Sequence, residues 1–268
     1  MNLIDQTFAR LREEGKTALM PFVSVGDPDL DLSLDILKQL QQSGADMIEL
    51  GVPYSDPLAD GPVIQRASER ALRSSVTLRD CILMAERARA EGVTIPLILF
   101  TYYNPVLQFG LEPFFELVKD KGISGLIIPD LPLEEDGEVR TMSENYGIHL
   151  IPLVAPTSRD RVTAIAKRAK GFVYCVSSLG VTGVRAEFHN DIDTFLATVR
   201  EATDLPISIG FGISSREQVE RFQALCDGVV VGSAIVRVIE ESIPLLHDPA
   251  TKAEGLQRIG HFVSQLKG

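Results

Sequence analysis

The chain has 268 residues, 45% of them hydrophobic, with a formal net charge of −11. That supplies a substantial core, and the negative balance excludes a basic nucleic-acid-binding face or electrostatic attraction to anionic lipid. Length alone leaves two small domains and one large α/β barrel both open.

Met1 to Lys16 contains Asp5, Glu13 and Glu14 and no long apolar run, so it reads as neither a signal nor a transit peptide. Leu3, Ile4, Phe8 and Leu11 fall on one face of a short amphipathic helix. Eight short apolar runs follow as candidate strands: Ala18–Val25, Met47–Leu50, Leu97–Thr101, Gly125–Ile128, Leu150–Val154, Phe172–Val176, Ile207–Ile209 and Gly228–Val231. Their near-continuous apolar character suits parallel strands covered on both faces. Between them lie helix-period segments at Leu30–Gln42, Leu78–Ala90, Pro113–Lys121, Glu138–Tyr146, Arg159–Lys170, Ile192–Ala202 and Arg216–Leu225. Such alternation predicts βαβ units, and eight units in this length predict an α/β fold. The expected form is a single (β/α)8 TIM barrel over residues 1–268, with an extra N-terminal helix. No linker or low-complexity run divides the chain. An open doubly wound sheet is the rival, but Gly26-Asp27-Pro28 after the first strand is not a dinucleotide-binding fingerprint.

Two connections are longer than the others, Gly51–Gly61 and Ser177 to about Asn190. In a barrel both lie on the C-terminal face, where active sites form. The first separates two carboxylates. Glu49 stands among Met47, Ile48 and Leu50, where an acid is costly to bury unless something uses or satisfies it. Strand alternation turns Glu49 away from Ile48 and Leu50, so it is expected at the barrel mouth as an acid or base. Asp60 lies on the loop above it, and on spacing alone it is equally readable as a turn former beside Gly61. Strand ends add Phe22, Phe100, Tyr102, Ile127, Leu153, Tyr174 and Phe211, most of them expected as core and a few as walls for a flat apolar substrate.

Three glycine-bearing turns follow the last predicted strands: Gly180–Gly183, Gly210–Ser215 and Gly232-Ser233, the last opening a short helix over Ala234–Glu241. Glycines admit close approach to backbone N–H groups, and a helix N-terminus adds partial positive charge. Loops after the seventh and eighth strands plus a short extra helix form a recurrent phosphate site in barrels. The four histidines are scattered, so no metal site is expected. Cys81, Cys175 and Cys226 are odd in number and far apart, which fits a reducing cytoplasm.

Taken in order, Pro21–Pro28, Gly44–Gln65 with its ELGVPYSDPLADGP core, Tyr102–Pro105, Pro129–Pro132, Gly180–Gly183, Gly210–Ser214 and Val231–Ile235 resemble the tryptophan synthase α subunit family over almost the whole chain. The resemblance implies retro-aldol cleavage of indole-3-glycerol phosphate to indole and glyceraldehyde 3-phosphate. It implies that Glu49 is the proton shuttle, that Asp60 accepts the indole N–H, and that Tyr174 lines the site beside Glu49. Gly183, Gly212, Gly232 and Ser233 are implied phosphate ligands, with Thr182 helping to close the site over Asp60. Ser178 and Leu179 stand where some members carry a basic and a hydroxyl residue, a departure from the pattern. The resemblance also implies a β-subunit partner in an α2β2 complex, facing Pro53–Asp60 and Asn104–Gln108. Pyridoxal phosphate is implied on that partner and no cofactor on this chain. A stand-alone indole-releasing lyase, another sugar-phosphate barrel enzyme and a non-catalytic activator are the alternatives.

Overall fold

The computed structural model describes residues 1–176, 192–210 and 212–268. Helix α1 (Leu3–Glu13) leads into β1 (Ala18–Ser24), α2 (Leu30–Gln42), β2 (Ile48–Gly51), α3 (Pro62–Arg73), α4 (Leu78–Ala90) and β3 (Leu97–Phe100). The middle of the chain forms α5 (Tyr103–Phe109), α6 (Leu111–Asp120), β4 (Gly125–Ile127), α7 (Gly137–Tyr146), β5 (His149–Leu150) and β6 (Leu153–Val154). Then come α8 (Arg159–Arg168), β7 (Val173–Val176), α9 (Ile192–Ala202), β8 (Ile207–Gly210), α10 (Arg216–Gln223), β9 (Gly228–Val231), α11 (Ser233–Leu246) and α12 (Lys252–Lys267). Among the described residues, no helix is long and apolar enough to cross a membrane.

Among the described residues, nine strands form one curled parallel sheet in the order β5-β4-β3-β2-β1-β9-β8-β7-β6. Its two outermost strands are neighbours in sequence, because the predicted fifth strand is split. Pro152 has no N–H to give a ladder, and the Ile151-Pro152 step separates β5 from β6. The backbone still bridges the break: Ile151 N–H donates to Leu126 O at 2.8 Å, and Tyr174 N–H donates to Pro152 O at 3.1 Å.

Strand alternation divides the core in two. Ile48, Leu50, Leu97, Leu99 and Val173 pack outward against the helices. Met20, Phe22, Met47, Ile98, Phe100, Ile127, Phe172, Tyr174 and Val230 fill the interior of the curl. One end of that interior is stoppered by α1, whose Ile4, Phe8 and Leu11 are buried there, with Phe8 and Phe172 rings 5.5 Å apart. Asn2 caps α1 by accepting from Ile4 N–H at 2.9 Å, and its side-chain amide donates to Ser124 O at 2.8 Å. Leu3, expected on the same buried face, is instead exposed.

Two further expectations are corrected. The helix after the last strand is not short: it runs Ser233–Leu246, because Ser242 and Leu246 continue its buried stripe beyond Glu241. Helices α3, α5 and α12, absent from the periodicity reading, complete the outer layer. Helix α3 was obscured because its buried face is built largely from Ala67, Ser68 and Ala71, with Ile64 the one large member.

Candidate active site

The register sets Glu49 beside Phe22 of β1 and Ile98 of β3, all directed into the curl. Glu49 is 1% exposed, and its Oε1 has no hydrogen-bond partner among the described residues. Burial alone pushes its carboxyl up to about 8, since desolvation disfavours the charged form. Tyr174, on β7 across the curl, is 3% exposed. Its hydroxyl is held protonated chiefly by burial and secondarily by the charge of Glu49.

Close packing at two glycines makes room for the aromatic walls. A Cβ on Gly51 would lie 2.3 Å from the Phe22 ring, and one on Gly210 would lie 2.4 Å from the Tyr174 hydroxyl. Neither position has space for a side chain without moving the ring that faces the pocket. Phe22 in turn meets Phe100 edge-on at 5.6 Å.

Asp60 reaches the same pocket from the loop before α3 and is 6% exposed. The Tyr102 hydroxyl donates to Asp60 Oδ2 at 3.1 Å and accepts from Ala59 N–H at 3.0 Å. The Gln65 side chain donates to Asp60 O at 2.7 Å, and Tyr54 stacks on Tyr102 at 4.9 Å. Burial raises the Asp60 carboxyl to about 6, opposed by the Tyr102 hydrogen bond. The two acids therefore differ: near neutral pH Glu49 is mostly protonated and Asp60 mostly ionised, a pairing suited to divided proton-transfer roles.

Across the pocket lie Gly212, Gly232 and Ser233. Gly232 occupies the N-cap position of α11 and provides no side-chain cap, leaving the first N–H groups of that helix for another acceptor.

The pocket is lined by Phe22, Glu49, Asp60, Ile64, Phe100, Tyr174, Gly212, Val230, Gly232 and Ser233. Eight of these were read from the sequence. Ile64 and Val230 were not, although Val230 was legible from alternation along its strand. Three sequence-predicted residues lie elsewhere. Tyr102 stands behind Asp60 rather than on the pocket wall. Ile127 is fully buried in the interior packing. Leu153 borders a larger cleft flanked by α7 and α8. That cleft contains neither Glu49 nor Asp60, which both line the smaller pocket. Thr182, Gly183 and Phe211, with Ser178 and Leu179, lie outside the described residues.

A curled parallel α/β sheet carrying two buried acids of unequal proton affinity over an uncapped helix N-terminus is an arrangement suited to an acid–base enzyme. The comparisons with known proteins specify which. The family model described as tryptophan synthase alpha chain matches residues 8–267. Among curated relatives, the tryptophan synthase alpha chain of a Geobacillus species is 50% identical over 251 residues, covering 94% of this chain and 95% of its own. The Thermoanaerobacter alpha chain is 46% identical over 267 residues, covering 100% and 99% respectively. The solved structure of tryptophan synthase subunit alpha from Legionella pneumophila superposes with a TM-score of 0.90 at 35% identity, covering 100% of this chain and 97% of that one. A Mycobacterium tuberculosis tryptophan synthase structure gives 0.87 at 34% identity, covering 98% and 96%. The chain belongs to the tryptophan synthase alpha chain family, whose role in tryptophan biosynthesis is the lyase cleavage of indole-3-glycerol phosphate.

Proposed function

We propose that residues 1–268 form a single (β/α)8 barrel that performs this cleavage with Glu49 and Asp60, without a cofactor of its own. The observation that carries the assignment of the acids is the orphaned Oε1 of a buried Glu49 in the pocket that also holds Asp60.

Protonated Glu49 delivers a proton to indole C3 while the Asp60 carboxylate accepts the indole N–H, giving the indolenine tautomer. The Glu49 carboxylate then removes the proton of the glycerol hydroxyl next to the ring. The C–O bond becomes a carbonyl and the bond from indole C3 to that carbon breaks. Its electron pair flows into the ring as Asp60 returns the nitrogen proton. Indole and glyceraldehyde 3-phosphate result, and each acid ends as it began. The proton affinities of the free site match the required starting states, Glu49 protonated and Asp60 ionised.

Tyr174, Phe22 and Phe100 wall the pocket beside the indole. Gly212, Gly232 and Ser233 hold the phosphate, favoured by the N-terminal N–H groups and partial charge of α11. Thr182, Gly183 and Phe211 complete the substrate-binding set. The β subunit, carrying pyridoxal phosphate, docks on Pro53–Asp60 and Asn104–Gln108. The exposed apolar side chains Leu58 and Leu107 in these segments support that surface. The assembly is an α2β2 complex in the cytoplasm.

The test is indole release from indole-3-glycerol phosphate by the isolated chain, followed with and without the β subunit. Glu49→Gln is expected to abolish release while binding of inorganic phosphate persists. Turnover by Glu49→Gln near the wild-type rate defeats the assignment of Glu49.

A further inference from the structure

We propose that Arg70 is a positioning residue for the reaction: it locks helix α3, which follows the Asp60 loop, to helix α11, whose N-terminus meets the phosphate. The inference rests on the functional reading above and deepens it.

Arg70 lies near the end of α3, and its side chain is 22% exposed. Its Nε and Nη2 donate to the two carboxylate oxygens of Asp27 at 2.6 and 2.9 Å. Its Nη1 donates to Glu240 Oε1 of α11 at 2.6 Å. Arg66, one turn earlier on α3, grips both oxygens of Glu240 at 2.9 and 2.8 Å. Asp27 is 3% exposed and sits in the turn after β1. One guanidinium thus joins three consecutive parts of the wall around the pocket: the first loop, α3 and α11.

A buried ion pair is weak evidence of net stabilisation, because desolvation offsets most of the attraction. Burial raises the proton affinity of the Asp27 carboxyl in spite of the adjacent guanidinium, which makes that cost visible. Such a pair does fix orientation, since bidentate guanidinium–carboxylate contacts are directional. At the upper ends of the two helices Ile64 of α3 faces the α11 N-cap: a Cβ on Gly232 would lie 3.8 Å from Ile64 Cδ1.

Arg70 stands about 12 Å below the start of α3, and Glu240 about 10 Å below the start of α11, at 1.5 Å per residue. A rocking of about 5° over that length moves a helix N-terminus by ~1 Å. Misplacement of that size costs up to about 100-fold in rate when a substrate must meet groups on both sides. Indole-3-glycerol phosphate spans both sides, with its ring at Asp60 and its phosphate at Ser233. Inorganic phosphate occupies one side only.

The experiment compares wild type, Arg70→Met, Arg70→Lys and Glu240→Gln for kcat and KM with indole-3-glycerol phosphate. It adds the Kd for inorganic phosphate, the Kd for indole and thermal unfolding. Glu240→Gln leaves the Arg70–Asp27 pair intact and serves if Arg70→Met does not fold. Expected is a fall in kcat of about tenfold or more in each variant, with both Kd values within about twofold of wild type and Arg70→Lys restoring only part of the rate. Unchanged kcat with a lowered melting temperature overturns the proposal, because Arg70 is then only a structural staple. Matching losses in kcat and phosphate affinity overturn it too, since the effect then lies on one side. Wild-type protein that releases no indole defeats the functional reading and this one with it. An active wild type with unaffected variants defeats this one alone.

Discussion

Replacing Glu49 by Gln tests the environment of the acid separately from its chemistry. In the unfolded chain this carboxyl titrates near 4.5, and in the folded protein near 8. Between those values the native protein keeps a proton that the unfolded chain has released. Stability is therefore greatest at or below the unfolded value and is lost as pH rises toward the folded one. One pKa unit corresponds to about 1.4 kcal/mol, so by pH 7 wild type has lost ~3 kcal/mol relative to pH 4 through this residue. Glutamine does not titrate. Its amide carries a fixed cost of about 1–3 kcal/mol if left without a partner, but that cost is the same at every pH. The signature is a slope: the stability of Glu49→Gln relative to wild type should climb by ~3 kcal/mol from pH 4.5 to pH 7. Urea unfolding of both proteins at half-unit pH intervals measures it, with other titrating groups cancelling in the difference. A difference flat in pH refutes the reasoning, because it means the buried carboxylate is stabilised by a charge or hydrogen bond that offsets its desolvation.

Tyr102→Phe removes the hydroxyl that holds Asp60 down. The acid limb of the kcat/KM–pH profile should move upward from about 6, with turnover at pH 7 reduced by roughly 10-fold, the scale of a hydrogen bond to a charged group; an unshifted limb excludes this role. Gly210→Ala places a methyl against the Tyr174 hydroxyl and should destabilise by about 1–3 kcal/mol, with kcat falling as Tyr174 is displaced. Calorimetry and an indole assay on the same preparation decide it. Asp46 is 7% exposed, accepts from Leu19 N–H at 2.8 Å and is paired with Lys267 at the end of α12. Asp46→Ala should lower stability by about 3 kcal/mol and leave KM unchanged, read from urea melts and steady-state kinetics.

Glu49 was legible because a strand supplies its own geometry: alternation among Met47, Ile48 and Leu50 gives the acid a direction before any coordinates exist. The eight strand positions were legible for another reason, the near-continuous apolar runs of parallel strands covered on both faces. The split at Pro152 was not, although proline gives the physical cause, because the apolar run continues through it. Asp60 needed the family resemblance, since the same residue beside glycine serves equally as a turn former. Tyr102 illustrates the limit of type-based reading. An aromatic residue at a strand end suggested a wall of the pocket, whereas its hydroxyl donates to Asp60 from behind and opposes the effect of burial on that acid. Ile64 was hidden because α3 has a narrow apolar face of mostly small residues, and the Arg70–Asp27–Glu240 network was hidden because it joins positions distant in sequence.

The split fifth strand also bears on how the chain assembles. The ladder β1 to β5 and the ladder β6 to β9 join at two seams, the Ile151-Pro152 step and the pairing of β1 with β9. The second seam brings Ala18 against Gly228, from opposite ends of the chain. A nascent chain that has emerged only as far as β5 holds a half-sheet with both edges unpaired. Such edges are templates for wrong partners, and closing over so long a separation is slow. The half-sheet is therefore the species most exposed to misassociation during synthesis, and arrival of β9 is the event that ends the exposure.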